Sequence, residues 1–175
     1  RSVEGMFPPG TECSLAVTGN DQAVSSLSLM LSGGDTASML RGAVIRLYFD
    51  GMQTAEVPAG NFFGTGYSYN TSRTRFTAAD PDGTLHSSWL MPFRDSCRIS
   101  IFNGTDDAIA INSRMGLTRY KWEANSMHFG ASWKEYPGFE TAGSEDTGGT
   151  GLHTDLNIAE LKGKGVYAGD AVLVF

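Results

Sequence analysis

Residues 43–57 read AVIRLYFDGMQTAEV, and this stretch decides the fold. Its first half alternates apolar and more polar residues, which is typical of a strand with one buried face. The apolar positions are Ala43, Ile45, Leu47 and Phe49. Asp50-Gly51 follows directly and is a strong signal for a β-hairpin turn. We expect the return strand to end at Val57, because Pro58 lacks the backbone donor of a sheet ladder.

Short strand-like segments recur along the rest of the chain, with turn residues between them at near-regular spacing. They cover residues 26–31, 73–78, 85–90, 97–102, 108–112, 117–122, 127–133, 156–161 and 166–175. The abundance of glycine and the lack of long helical patterns favour the same class, since the helix-like pattern at 37–40 is too short to change it. We therefore predict an all-β fold, an antiparallel β-sandwich of jelly-roll type in a single domain.

The jelly-roll domain is expected to span residues 13–175. Residues 1–12 look like an irregular N-terminal arm that Pro8-Pro9-Gly10 closes. Residues 138–153 read GFETAGSEDTGGTGLH, with five glycines and almost no apolar residue. Because strand-like sequence continues on both sides, this stretch is predicted to be a long Gly-rich surface loop.

The charge pattern excludes several kinds of partner. The formal net charge is -6 at pH 7, and Lys and Arg do not cluster. Nucleic acids and anionic membrane surfaces are both disfavoured, because binding to either needs a positive stripe. No stretch approaches the roughly 20 apolar residues of a membrane-spanning helix, so we expect no membrane span.

Several features indicate a secreted glycoprotein. The chain begins at Arg1, as expected of a mature processed protein, although a shortened piece would look the same. Two sequons, at Asn70 and Asn103, are candidate glycosylation sites in turn-like contexts. Together with only two cysteines, they favour an oxidising compartment and a disulfide between Cys13 and Cys97. The alternative is a pair of buried thiols.

Motifs for metal binding or catalysis are weak throughout the sequence. The three histidines, His86, His128 and His153, are too far apart for zinc-ligand spacing, so no metal site is predicted. The chain has no GxSxG nucleophile elbow. Carboxylates of the second half, such as Glu123 and Glu135, are read as solvated, because sequence spacing in a sandwich does not establish a catalytic pair.

The most distinctive feature is an aromatic and methionine-rich run between residues 120 and 139. We predict that its residues exposed on or beside a strand bind a flat hydrophobic or ring-shaped ligand, a sugar or a partner subunit. The candidate ligand-binding residues are Tyr120, Trp122, Met127, His128, Phe129, Trp133, Tyr136 and Phe139. The alternative is a thick aromatic core with nothing bound.

Five ordered strings carry a resemblance to a known family. They are residues 45–51 (IRLYFDG), 56–64 (EVPAGNFFG), 89–99 (WLMPFRDSCRI), 127–131 (MHFGA) and 163–169 (GKGVYAG). In that order they resemble the jelly-roll family that includes bacterial α-D-fructofuranosidases and difructose-dianhydride synthases. The resemblance covers about residues 40–175 and implies a jelly roll derived from a carbohydrate-active enzyme.

The resemblance brings no catalytic residue to this chain. In the bacterial enzymes the two catalytic glutamates lie downstream of the segment that matches Gly163–Gly169, in GEGDE-type and GTxTEDYF-type motifs. The sequence ends six residues after Gly169, and the Glu145-Asp146 pair lies upstream without the aromatic partners. The resemblance therefore implies a non-enzymatic role.

The same family is similar to the sponge carotenoproteins, in which related jelly-roll subunits hold carotenoids without a covalent bond. This likeness implies an astaxanthin-like carotenoid as cofactor and a homologous jelly-roll subunit as partner, in a homodimer, heterodimer or larger oligomer. A carotenoid-binding subunit is thus the first hypothesis. A glycan-binding or fructofuranosidase-related module is the second, and a structural, coat-like jelly roll is the third.

Overall fold

The structure, a computed structural model, describes residues 1–136, 160 and 162–172. Eleven strands and two short helices lie within these residues. In chain order they are β1 (Ser2–Phe7), β2 (Glu12–Thr18), β3 (Gln22–Ser32), α1 (Thr36–Gly42), β4 (Ala43–Phe49), β5 (Met52–Pro58), α2 (Ala59–Phe62), β6 (Ser72–Arg73), β7 (Thr77–Ala79), β8 (Leu85–Ser87), β9 (Met91–Phe93), β10 (Ser96–Asn103) and β11 (Ile109–Arg119).

The strands form two antiparallel sheets. The larger sheet has the order β1-β11-β3-β8-β7-β6, with β9 also paired to β3. The smaller sheet has the order β2-β10-β4-β5. Strands that are neighbours in sequence often lie in different sheets, so the chain crosses the sandwich repeatedly. The predicted all-β antiparallel sandwich is confirmed.

The core lies between the two sheets and follows from strand alternation. On β4, the side chains of Ile45, Leu47 and Phe49 are fully buried, and they face Leu27 and Leu29 of β3, which are buried equally deeply. Burying each such side chain contributes roughly 1.5–3 kcal/mol to folding.

The hairpin between β4 and β5 forms as predicted. Asp50 and Gly51 both have positive φ, 51° and 82°, which is the backbone of the primed turns that suit the right-handed twist of paired strands. The return strand β5 extends to Pro58, one residue beyond the predicted end.

Residues 1–12 are not an irregular arm. Residues 2–7 form β1, which pairs with β11 from Ser2 opposite Arg114 to Phe7 opposite Ile109. Gly10, with a φ of 74°, then turns the chain toward β2. Val3 and Phe7 pack against the core, so the short alternation that places them on one face is a genuine strand signal.

The C-terminal strand predictions are confirmed in part, because β11 covers most of the first two predicted segments and the later segments form no strand where the structure describes them. Strand β11 joins the two segments predicted at 108–112 and 117–122 into one strand that ends at Arg119. Residues 127–133 form no strand and make one isolated parallel bridge to the smaller sheet, between Ala131 and Ala55, and residues 166–172 form no strand. The predicted loop at 138–153 lies outside the described residues.

The helix-like pattern at 37–40 does form a helix, α1. The carboxylate of Asp35 accepts a hydrogen bond from the backbone N–H of Ser38 at 2.9 Å and caps its first turn. Met39 and Leu40 are buried against the sandwich, so burial compensates for the short length.

The predicted disulfide between Cys13 and Cys97 is not formed, because both residues are free, buried thiols. On the paired strands β2 and β10, Cys13 lies opposite Ile101 and Cys97 lies opposite Val17. Four residues along β10 therefore separate them, roughly 13 Å, whereas a disulfide needs Cα atoms within about 7 Å. The alternative of two buried thiols is the correct one.

We expect these thiols to be unreactive in the folded protein. Burial raises the pKa of Cys13 to about 11, and burial together with the Asp50 charge raises the pKa of Cys97 to about 12. Little thiolate is therefore present near neutral pH. Without a reductant, a thiol reagent should label neither cysteine in the folded protein and both cysteines after unfolding in urea. If the unfolded protein shows no free thiol, the two cysteines are joined in a disulfide, and the β2–β10 register described above is wrong.

The sequon at Asn103 has a structural role, and a glycan there is incompatible with this fold. Asn103 is 0% exposed. Its Nδ2 donates to the carbonyl oxygens of Phe7 at 2.9 Å and Asp107 at 2.8 Å, and its Oδ1 accepts from the backbone N–H of Thr105 at 3.0 Å. The side chain thus ties the β10–β11 connection to β1. Asn70 is exposed and stays a predicted glycosylation site.

In the part of the chain that the structure describes, neither helix is long and apolar enough to cross a bilayer.

Candidate functional site

The aromatic run is divided among several environments. Trp122 and His128 lie against β4: their rings are 4.9 Å apart between centroids, and the His128 ring stacks on Phe49 at 6.0 Å. His128 Nε2 lies 2.7 Å from Oδ2 of Asp50 in the β4–β5 turn. These two predicted ligand residues close one end of the core.

Asp50 is the centre of this contact. Its carboxylate accepts hydrogen bonds from the backbone N–H groups of Arg94, Asp95 and Ser96 at 2.9, 2.7 and 2.8 Å. Burial of the carboxylate opposes its ionisation, but these donors and His128 outweigh that effect and lower the pKa of Asp50 to about 2. The group joins three segments of the chain and is a structural clamp.

Other members of the run lie elsewhere. Phe129 packs on Trp89, with ring centroids 5.5 Å apart, and on Phe62 at 6.4 Å. The Tyr120 hydroxyl lies 3.2 Å from Ser126 Oγ, within its own segment. Met127 is half-buried. The exposed members are Trp133 and Tyr136, at 38% and 40% exposure.

The structure therefore does not bring the predicted ligand residues into one groove. Phe139 lies outside the described residues. No contact among the described members supports the carotenoid-binding prediction. Phe129 packs against the core, and the other described members are half-buried or exposed.

A different concave surface lies on the outer face of the larger sheet. It has a volume of about 820 Å³ and opens to solvent. The bordering residues on which its chemistry depends are Ser28, Arg73, Phe76, Asp80, His86 and Arg114. We call this surface the outer cleft.

Strand register creates the floor of the outer cleft. Arg114 of β11 lies opposite Ser28 of β3, and Ser28 lies opposite His86 of β8. His86 lies opposite Ala78 of β7, which in turn lies opposite Arg73 of β6. Because directly opposed residues point to the same face of a sheet, these five positions form one row across five strands, roughly 19 Å long.

Asp80 organises one end of the row. Its Oδ2 lies 2.9 Å from Nε2 of His86, and its Oδ1 lies 3.6 Å from Nη2 of Arg73. The carboxylate is 40% exposed, so it holds its neighbours while remaining open to solvent. The other ring nitrogen of His86, Nδ1, has no hydrogen-bond partner among the described residues and is available to a ligand.

An aromatic stack borders the cleft. The Phe76 ring stacks on Trp89 with centroids 3.8 Å apart and planes 16° from parallel. Trp89 in turn contacts Phe129, which contacts Phe62. A line of rings therefore runs from the core to the cleft, and Phe129 contacts the cleft's aromatic border through Trp89.

The outer cleft combines several kinds of polar group with an apolar ring. Hydroxyl, imidazole, guanidinium and carboxylate groups lie in one row, and the Phe76 ring offers an apolar surface beside them. A glycosidase needs two carboxyl groups facing each other across about 5–9.5 Å. Among the described residues that border the outer cleft, Asp80 is the single carboxylate.

The family model described as GH172 domain-like matches residues 2–114 of the chain. The chain belongs to the GH172 domain-like family. GH172 is a glycosidase-related family, so the match supports the carbohydrate-active hypothesis and leaves the carotenoprotein resemblance without support. A comparison with curated proteins found no match.

The extent of the GH172 match agrees with the geometry. Residues 2–114 include all five residues of the cross-strand row, whose two ends are Arg73 and Arg114. The aromatic run begins at Tyr120, beyond the match. The GH172 region thus contains the whole row, while Arg1, Met115 and Gly116 at the border of the cleft lie just outside the match.

Sequence reasoning missed the outer cleft. Ser26, Ser28 and Met30 are visible as the polar side of a strand, but an exposed serine is the expected residue there. The informative signal is the pairing of residues 28, 73, 86 and 114, which depends on the register of distant strands. Local patterns do not contain that information.

Proposed function

We propose that the outer cleft binds carbohydrate, and that the described jelly roll is a carbohydrate-binding unit of a glycosidase-related protein. One observation carries the proposal. In a chain of the GH172 domain-like family, the matched residues place a polar row and an aromatic ring side by side in one cleft.

The residues of the cleft fit a sugar chemically. Ser28, His86 and Asp80 offer donors and acceptors for hydroxyl groups, and the fixed Asp80–His86 hydrogen bond of 2.9 Å reduces the ordering needed on binding. The Phe76 ring, backed by Trp89, is rigid enough to pack against the apolar face of a sugar ring. A row of roughly 19 Å suits an oligosaccharide better than a single sugar.

Binding is proposed without hydrolysis at this surface, because the described cleft offers one carboxylate and glycoside cleavage needs two. The homologous partner subunit and the extracellular location remain predictions from the sequence. So does glycosylation at Asn70.

Single substitutions in the cleft should weaken saccharide binding. Phe76→Ala removes the apolar surface, and His86→Ala removes a hydrogen-bonding group whose partner is Asp80. We expect each to raise the Kd by about fivefold to tenfold, measured by titration calorimetry with neutral and acidic oligosaccharides.

Tyr48→Ala is the matched control. Tyr48 is a half-buried aromatic residue on the outer face of the smaller sheet, where the Arg98 guanidinium lies 3.8 Å from its ring centroid. This variant should leave the Kd unchanged. Failure of every saccharide to bind the wild-type protein would overturn the proposed function, as would an affinity that depends on Tyr48 and not on Phe76.

A further inference from the structure

The outer cleft carries more positive charge than the rest of the chain leads one to expect. Of the described residues that border it, four are arginines, Arg1, Arg73, Arg75 and Arg114, and one is a carboxylate, Asp80. The whole chain has a formal charge of -6. We infer that the saccharide bound in the outer cleft carries a negatively charged group, a carboxylate or a sulfate ester. The inference rests on the proposed function and narrows its ligand class.

Arg114 is the central observation. It lies on β11, next to the edge strand β1 of the larger sheet, opposite Ser2 on one side and Ser28 on the other. Among the described residues, no carboxylate lies within 4.0 Å of its guanidinium. A guanidinium whose directly opposed residues are both serines, and which has no acid within ion-pair distance, can offer its fork of donors to an incoming anion.

Arginines on the outer face of the smaller sheet provide a comparison for Arg114. On its outer face, Arg46 pairs with Glu12 and Glu56, both at 3.1 Å, and Arg98 pairs with Glu12 at 3.4 Å. Each of these guanidinium groups therefore has a carboxylate partner. Among the described residues, Arg46 and Arg98 on the smaller sheet each have an acid partner, whereas Arg114, which borders the outer cleft, has none within 4.0 Å.

At the Arg73 end of the row, the positive groups already have a carboxylate partner. The Asp80 carboxylate lies 3.6 Å from the Arg73 guanidinium and 2.9 Å from the His86 ring, so it already offsets the positive charge of Arg73. An anionic group is therefore expected at the Arg114 end, with neutral hydroxyls of the saccharide at the Asp80–His86 end. Arg75, whose guanidinium lies 5.4 Å from the Phe76 ring centroid, adds positive charge at the rim.

A matched pair of probes isolates the charge. Oligogalacturonides and their methyl esters share one sugar skeleton, and esterification removes the carboxylate charge. We expect the wild-type protein to bind the acid at least about tenfold more tightly than the ester at low salt, and to lose most of this preference at high salt. A sulfated oligosaccharide tests the second source of charge.

Arg114→Gln should remove the preference for the acid while leaving the affinity for the ester within about twofold. Arg114→Lys, which keeps the charge, should restore part of it, and Arg98→Gln on the other face should leave it intact. If only the sulfated probe shows an Arg114-dependent preference, the anionic group is a sulfate and the inference holds.

Two results would overturn the inference and leave the proposed function standing. One is equal affinity of the wild-type protein for the acid, the ester and the matched neutral form of the sulfated probe. The other is a preference for acid that persists in Arg114→Gln and disappears in Arg98→Gln. If no saccharide of either kind binds, the proposed function and the inference both fail.

Discussion

Gly60→Ala is expected to lower the free energy of unfolding by more than about 4 kcal/mol, which is a large part of the total stability of an ordinary domain. A Cβ atom at this position would lie 1.9 Å from the backbone carbonyl oxygen of Gly66. Backbone cannot move aside as a flexible side chain does. The N–H groups of Thr65 and Gly66 also donate to the Gly60 carbonyl at 2.9 and 3.0 Å, and a shift would break both bonds.

Gly165→Ala serves as the control for this prediction. Gly165 is exposed, its φ is not positive, and no heavy atom lies within 4 Å of its ideal Cβ position. The variant should unfold within about 0.5 kcal/mol of the wild-type protein in a urea titration. A Gly60→Ala protein that unfolds at the wild-type urea midpoint would show that residues 60 and 66 are not in contact.

Asp50→Ala is expected to lower the free energy of unfolding by about 3 kcal/mol. The substitution leaves three backbone N–H groups and the His128 ring without their acceptor. It also places an alanine at a φ of 51°, which a side chain with a Cβ adopts at a cost. Asp50→Asn tolerates the same φ and keeps one acceptor oxygen, so its loss should be about half as large, as measured by urea unfolding at neutral pH.

The ionisation of Asp50 adds a pH dependence with a definite sign. Its pKa is about 2 in the folded protein and about 3.9 in the unfolded chain, so the unfolded chain takes up the proton first. The stabilisation, about 2 kcal/mol, is present above pH 4 to 5 and is lost as the pH falls toward 2. The difference in stability between wild type and Asp50→Asn should shrink over that interval. A constant difference would contradict the assignment.

The sequence predicts the two-sheet framework well because that framework depends on local alternation. Ile45, Leu47 and Phe49 face the core as their spacing requires, and Asp50-Gly51 has the positive φ values of the expected hairpin turn. One residue of the resembling strings also gains a physical reason: Gly60 lies where any side chain meets backbone.

The wrong strand prediction at residues 127–133 arises because an alternating sequence does not guarantee that a neighbouring strand is present to pair with it. Phe129 and Ala131 alternate as strand residues do, but Phe129 packs on Trp89 and the backbone meets β5 at one bridge. A period of two reports which side chains are apolar and not whether a neighbouring strand is present to pair with. The predicted Cys13–Cys97 disulfide failed for a related reason, since the separation of two cysteines is set by strand register.

The residues of the outer cleft could not be predicted from the sequence, because their grouping depends entirely on strand register. Arg114, Ser28, His86 and Arg73 are scattered over the sequence, and each is unremarkable in its own segment. Their common row follows from four strand pairings. The match to the GH172 domain-like family gives that row its functional context, because the matched residues contain all of it.

The location of saccharide binding is the most direct test of this account. An NMR titration of the isotope-labelled protein with an oligogalacturonide should shift the backbone amides of Ser28, His86 and Arg114, on β3, β8 and β11. The amides of Trp122 and His128 should stay in place. Shifts confined to the aromatic run or to the smaller sheet, with the amides of the row unchanged, would contradict the claim that the outer cleft is the binding site.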